Sequence, residues 1–533
     1  MTDKEIVIAA ADERGAFYGV QSLLAMMKYG KLQTCAITDF PDVAFRGVVE
    51  GFYGTPWSQE DRLSQFDFYA KNKMNVYIYG PKDDAYHKSK WREEYPADMG
   101  KKITEYVNVA KANKIEFMWA IHPGEDIQWN ATDRANIVNK LKAMCALGVR
   151  SFAVFWDDLW GDDGTHGDEQ AELMNYIAEE LRKAYPDVKP LTICPTQYNR
   201  GWANAIYLPA LGDIMDSDIN IMWTGNSVVD MINKGDMEWI NNQIKRKAYI
   251  WLNYPVSDYC IDHLLMGPTY GNDLNIADMM SGFVSNPMEY AEASKVSLYS
   301  IADYTWNMPA YDSESSWKRS LHALMPTSPL AFAAFCQNNV DLGKTGHGLR
   351  REGESQLFAE KKMKPAFYFT AMTTAADALL ADSVNQPEML AEIGPWVESM
   401  RLLGQRGLHV LQMEHSFNQA DSVAFVGAYR SQKAIEDAQK RIVSRNFEGS
   451  IVKAKPVVSG DVVTPWVNEK VSELVKAYKK KHTYGLEHFP KQVVEDGQYF
   501  IKAGGKFLTD VQASPDRTGD HPVFAAERDT INP

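Results

Sequence analysis

Cysteine is scarce in this chain: five residues in 533, at Cys35, Cys145, Cys194, Cys260 and Cys336. The number is odd, the spacing is wide, and two of them fall within apolar or helical runs. That argues against a disulfide frame or a cysteine-held metal as the organising device, and these thiols read as small buried hydrophobes. Positive charge is in deficit, with 56 Lys and Arg against 70 Asp and Glu and a formal net charge of -14. A groove for nucleic acid is therefore a poor fit. No apolar run has the length of a membrane span, and the opening Met-Thr-Asp-Lys-Glu is not a signal peptide. There is no low-complexity tract. Also missing are a Walker motif, a nucleophile elbow, a dinucleotide fingerprint, a His-Glu-x-x-His pattern and an EF-hand register. The expectation is a protein with no metal and no cofactor.

What is present is a large apolar stock, 45% hydrophobic and 12% aromatic, enough for roughly two to four domains. Short apolar runs recur, each ending in turn or polar residues and most followed by a helical pattern. They are 45–54, 75–80, 115–121, 151–158, 191–194, 219–223, 248–252 and 296–301. Runs of this kind, bounded by turn signals, mark strands buried on both faces. Eight strand–helix units in some 280 residues are the number and size of a (β/α)8 barrel. A longer open, doubly wound sheet is the structural alternative. Ser58 and Asp61 form a capping box before one of the helices.

The chemistry gathers at the strand ends. Ser151-Phe-Ala-Val-Phe-Trp-Asp-Asp158 is an apolar strand that stops at two adjacent carboxylates. Parallel α/β architectures put their reacting groups at the carboxyl ends of strands. Neighbouring carboxylates resist ionising together, so one can act as a proton donor while the other stays charged. Side chains alternate along a strand, so Asp157 and Asp158 face one substrate only if the backbone turns there. Lys82, Tyr198, Asn253, Asp258 and Asn286 supply hydrogen-bonding groups in loops on the same face. Tyr53, Trp223, Trp251 and Trp306 are candidate apolar platforms, although core packing accounts for Trp223 and Trp251 taken singly. Such a mixture of polar groups and aromatic faces suits a sugar. Asp157, Asp158, Asp162, Asp163, His166 and Asp168 together make a competing metal site, but a solvated acidic loop is the simpler account of Asp162 to Asp168.

Several stretches together resemble glycoside hydrolase family 84, the β-N-acetylglucosaminidases that include the O-GlcNAcases, with the bacterial members nearest. They are Val49-Glu-Gly-Phe-Tyr-Gly-Thr-Pro-Trp57, Tyr79-Gly-Pro-Lys-Asp-Asp84, Phe155-Trp-Asp-Asp158, Cys194-Pro-Thr-Gln-Tyr-Asn199 and the segment from Trp251 to Tyr259. The resemblance implies a retaining, exo-acting enzyme in which the sugar's own 2-acetamido oxygen is the nucleophile and an oxazoline is the intermediate. It implies that Asp157 orients and polarises the acetamido N–H and that Asp158 protonates the leaving oxygen, then activates water. By the same match Tyr198 and Asn253 hold the acetamido group and Trp251 lines its pocket. Gly51, Lys82, Asp258 and Asn286 would bind sugar hydroxyls. The implied partners are GlcNAc-bearing glycoproteins or glycans. An endo-acting, hyaluronidase-like enzyme and a non-catalytic glycan-binding protein are the alternatives.

The expected layout is a remnant α/β domain at 1–40, the barrel at 41–328, a helical bundle at 329–455, and a helix with a β-hairpin at 456–533. The remnant reads as one strand, Glu5 to Ala11, and one helix, Glu13 to Tyr29. The family usually carries a whole small domain there, so the expectation is a truncated chain. If bacterial, its full-length form would be secreted, periplasmic or surface-attached. The loop from Leu159 to His166 carries extra Trp, Asp and His relative to the family's short Gly-rich stretch.

Overall fold

Eight short apolar strands close into a parallel barrel. They are β1 Phe45–Glu50, β2 Val76–Tyr79, β3 Glu116–Ile121, β4 Ser151–Phe155, β5 Thr192–Cys194, β6 Asn220–Trp223, β7 Ala248–Leu252 and β8 Met280–Ser285, each paired with the next and β8 with β1. The computed structural model describes residues 5–27, 32–159, 166–340, 361–444, 455–482, 498–503 and 506–512. Closure is visible at Val48, which pairs with Tyr77 on one side and Ser285 on the other. Alternate strand residues point inward. Val49, Ile78, Met118, Ala120, Ala153, Phe155, Met222, Tyr249 and Val284 fill the interior as one buried cluster, so the barrel is a packed core rather than a pore.

Helix α1 Glu13–Met27 precedes the barrel. Around it run α2 Gln59–Lys71, α3 Ala97–Ala112, α4 Ala131–Ala146, α5 Gly167–Ala184, α6 Tyr207–Ile214, α7 Lys234–Ile244 and α8 Ala291–Trp306, and α9 Ser313–Leu324 follows. The Ser58–Asp61 capping box is formed in both directions at the start of α2. Asn130 and Asn233 cap α4 and α7 in the same manner, each accepting from the third residue on. Between β7 and β8 the chain runs from residue 253 to 279 with only one short 3-10 turn.

Two expectations are corrected. The eighth strand is Met280–Ser285; residues 296–301 lie inside α8. Val296-Ser-Leu-Tyr-Ser-Ile301 mimics strand alternation because α8 is buried almost all round and shows no polar face. Its serines are absorbed by backbone, Ser297 donating to the carbonyls of Leu265 and Gly267 at 2.8 and 2.7 Å. The true β8 is masked in the sequence by Ser281 and Gly282. Gly282 is there because a Cβ would lie 2.3 Å from the Tyr249 ring of β7. The other correction is at Glu5 to Ala11, which is not a strand. Among the described residues no neighbouring strand completes a ladder with it.

The barrel unit ends at Leu324, and a second compact unit begins at Met325. The second is helical: α10 Pro329–Gln337, α11 Pro365–Ala381, α12 Pro387–Asn418, α13 Ser422–Gln439 and α14 Val463–Lys481. Proline opens α10, α11 and α12, where its missing N–H costs nothing. Phe369, Leu379, Ile393, Trp396, Met400, Leu403 and Val410 are fully buried in this bundle. Tyr478 of α14 stacks on Phe425 of α13 with ring centroids 4.4 Å apart. Two antiparallel strands, β9 Gln498–Ala503 and β10 Lys506–Gln512, form the expected hairpin. Among the described residues no helix is long and apolar enough to cross a membrane.

Candidate active site

β4 ends at Phe155, and Trp156 N still donates to Cys194 O at 2.9 Å. The chain then turns: Asp158 has φ +56, in the left-handed region that Asp tolerates better than most residues. This is the break in alternation that two adjacent acids need in order to share a face. Both carboxylates line one cavity of about 450 Å³ at the carboxyl end of the barrel, within the usual range for a small-ligand site.

Asp157 is held from the two preceding strands. It is 5% exposed. Its Oδ2 pairs with the buried Lys82 ammonium, delivered by the loop after β2. Its backbone carbonyl lies 2.8 Å from His122 Nε2, at the end of β3. Burial works against ionisation of Asp157, but the Lys82 ammonium outweighs it and holds the carboxyl well below the usual range. Burial pulls Lys82 down, yet Asp157 and Asp158 raise it further, so it stays charged. Burial also pushes the His122 imidazole below its ordinary value, which keeps it neutral. Among the described residues, Asp157 Oδ1 has no hydrogen-bond donor. Its near neighbour is His122 Nε2 at 3.5 Å, a nitrogen already occupied by the Asp157 carbonyl. A buried, charged carboxylate is thus left with one open acceptor.

Asp158 is held differently. Tyr198 OH donates to its Oδ1 at 2.7 Å and Tyr53 OH to its Oδ2 at 3.0 Å. Burial first, and then Asp158 itself, pushes both phenols up, so they remain protonated. A phenol accepts as readily as it donates; the pair therefore accommodates Asp158 with or without its proton. The Tyr53 loop is pinned by acids from around the barrel. Asp258 Oδ2 accepts from Tyr53 N at 2.9 Å and Glu50 Oε1 from Trp57 N at 3.1 Å. Glu289 accepts from the Thr55 backbone; burial, with Asp83 and Asp258 nearby, pushes it up to about 7.

The opposite wall is a hydrogen-bonded chain. Trp251 Nε1 and Asn286 Nδ2 both donate to Asn253 Oδ1, at 2.9 and 3.0 Å. Asn253 Nδ2 donates to Val228 O at 2.7 Å, and Gly51 N to Asn286 Oδ1 at 3.3 Å. A Cβ on Gly51 would sit 2.6 Å from the Trp251 ring, so only glycine lets that indole lie against β1.

Gly51, Asp157, Asp158, Tyr198, Trp251, Asn253, Asp258 and Asn286 all line this cavity, while Lys82 stands behind Asp157. Trp223 and Trp306 do not belong to it. Trp223 is fully buried against Trp239, and Trp306 lies 5.0 Å over Arg46, which opens β1 at the other end of the barrel. Residues 160–165, including Asp162 and Asp163, lie outside the described residues. The sequence reading missed the contacts of Tyr53 and His122 with the two acids, although His122 directly follows β3 and Tyr53 lies in the turn after β1. It also missed the lining residues Thr224, Val228, Val229 and Trp202, which carry no distinctive signal in a single chain.

A family model described as β-N-acetylglucosaminidase matches residues 46–337, and one described as the bacterial GH84 post-catalytic domain matches residues 350–469. The protein O-GlcNAcases of Rattus norvegicus and Mus musculus are each 32% identical over 271 residues, 49% of this chain. The match spans only 29% of the length of those relatives. Among solved structures, CpGH84B aligns with TM-score 0.76 and 31% identity, covering 86% of this chain and 83% of its own. CpGH84D aligns with TM-score 0.78 and 29% identity over 87% of this chain and 81% of its own. A mutant of the Thermobaculum terrenum O-GlcNAc hydrolase shares the fold, with TM-score 0.71 at 24% identity over 83% of this chain and 97% of its own.

Proposed function

Because the chain belongs to the β-N-acetylglucosaminidase family of glycoside hydrolases, we propose that it is a retaining, exo-acting enzyme that removes terminal β-linked GlcNAc from glycoproteins or glycans. The observation that carries this reading is the asymmetry of the two acids. Asp157 is buried and charged, with Oδ2 taken by Lys82 and Oδ1 open. Among the described residues, Asp158 is held by two phenols that tolerate either protonation state.

In the first half-reaction the acetamido oxygen attacks the anomeric carbon as the bond to the leaving oxygen breaks. Asp158 delivers its proton to that oxygen. Asp157 Oδ1 accepts from the acetamido N–H and stabilises the positive charge that develops on the oxazolinium. In the second half Asp158, now ionised, takes a proton from water as the water opens the oxazolinium ring. Atoms and charge balance with no protein nucleophile, in keeping with a site in which two acids suffice. Trp251, Asn253 and Tyr198 would enclose the acetamido group. Gly51, Asp258 and Asn286 would meet sugar hydroxyls, and Lys82 would keep Asp157 charged.

The test is hydrolysis of an aryl N-acetyl-β-glucosaminide beside a GlcNAc-containing polymer. The proposal expects turnover of the monosaccharide glycoside with retained anomeric configuration. Cleavage of the polymer alone would point to an endo-acting, hyaluronidase-like enzyme, and cleavage of neither to a glycan-binding protein.

A further inference from the structure

The Lys479-Lys-Lys481 run at the end of α14 reads in the sequence as a solvated helix end suited to the dipole. In the structure it borders a second concavity, within the helical unit and built by α12, α13 and α14. This groove has a volume of about 680 Å³. Arg406, Lys476, Lys479 and Lys480 face it, with Glu436 as the one carboxylate in its lining. Glu436 is already engaged elsewhere: Lys433 Nζ lies 3.1 Å away and Lys440 pairs with it more tightly still. Asp437, next to it, is taken by Lys433 at 3.2 Å. Lys476 and Lys480 make no ion pair among the described residues.

Arg406 is the decisive group. It is 5% exposed, and a buried guanidinium normally has its fork filled. Here Nε donates to Gln432 Oε1 at 3.1 Å. The remaining contact is between its NH2 nitrogen and Glu436 Oε2 at 3.6 Å, beyond hydrogen-bond range. The buried Gln432 Nε2 also lacks an acceptor. Burial pulls the guanidinium below its ordinary value, with Glu436 and Asp437 opposing. The floor of the groove thus holds a buried guanidinium whose one carboxylate stands 3.6 Å off and is shared with two lysines, and its rim holds Lys476 and Lys480 one helical turn apart, about 5.4 Å.

We propose that this groove binds an acidic glycan segment, with a sulfate or carboxylate on Arg406 and further anionic groups along Lys476, Lys479 and Lys480. Asn468 and Ser472 in the lining offer partners for hydroxyls, and Tyr429 an aromatic face for a sugar ring.

The test is binding of the full chain to dextran sulfate oligosaccharides, oligogalacturonate, neutral dextran and a single-stranded oligodeoxynucleotide, each at several salt concentrations. Expected is binding of one or both acidic oligosaccharides that weakens with salt, and none to dextran. The first arm reports sulfate and the second carboxylate. The triple variant K476E, K479E, K480E changes exposed residues and is expected to lower affinity at least tenfold, by about one decade per few lost contacts. Its turnover of a small aryl glycoside in the barrel is expected to be unchanged, which separates this groove from the catalytic reading. R406K, which keeps the charge but removes the fork, is expected to lower affinity as well. No binding, or binding that the triple variant leaves intact, overturns the proposal. Equal affinity for the oligodeoxynucleotide overturns the glycan assignment.

Discussion

Replacing Asp158 with Asn slows hydrolysis of glycosides with poor leaving groups by roughly 10²–10⁴-fold, the usual worth of a positioned general acid. It slows an activated aryl glycoside far less, by about tenfold or under, because such a leaving group departs without a proton. The expectation rests on geometry: Asp158 is half-buried at the cavity wall, and among the described residues its two oxygens meet Tyr198 and Tyr53. An amide keeps the size and both contacts, so the phenols stay in place and only the proton is lost. Kinetics on a series of aryl leaving groups reads this as a steeper dependence on leaving-group pKa. Equal losses across the series would remove Asp158 from the role of acid.

Replacing Asp157 with Asn harms both classes of substrate alike. The carboxylate acts on the nucleophile, and the nucleophile must attack whatever leaves. Loss of one preorganised electrostatic partner of the reacting group costs roughly 10²–10³-fold in kcat. A second effect accompanies it. Lys82 is as buried as Asp157, with side chains 2% and 6% exposed, and the variant leaves its ammonium without a counter-ion. Breaking a buried pair from one side costs about 3–5 kcal/mol, so the thermal midpoint falls as well. The double change Asp157→Asn with Lys82→Met removes both charges and recovers much of that midpoint without recovering rate. Recovery of both together would make Asp157 a structural anchor only.

Much of the barrel is readable in the chain because its strands are buried on both faces and stand between turn residues. β2 and β4 are apolar throughout and bounded by polar loops, and they fall where expected. The eighth strand fails for the converse reason: Gly282 and Ser281 look like loop, while the fully buried α8 looks like strand. Neither is resolved without knowing that Tyr249 needs the space over Gly282. The turn at Asp158 follows from side-chain alternation alone, since two adjacent acids cannot otherwise share a face. The partners of the two acids do not follow, because His122 and Tyr53 come from β3 and β1, and sequence distance carries no sign of their meeting. Lys82 is expected on a sugar hydroxyl; the structure pairs it with Asp157, a buried contact that a strand-end position alone cannot convey. The basic end of α14 reads as solvated because nothing in the sequence shows that Arg406 and Glu436, from two other helices, line a groove beside it.

The central claim is that the substrate supplies its own nucleophile while Asp157 polarises it. The most direct measurement compares hydrolysis of an aryl N-acetyl-β-glucosaminide with that of the same glycoside carrying a trifluoroacetyl group. Fluorine withdraws electron density from the acetamido oxygen and leaves the leaving group untouched. The account predicts a steep fall in kcat/KM with fluorination. Good turnover with a flat response would contradict it and require a protein nucleophile at the strand ends.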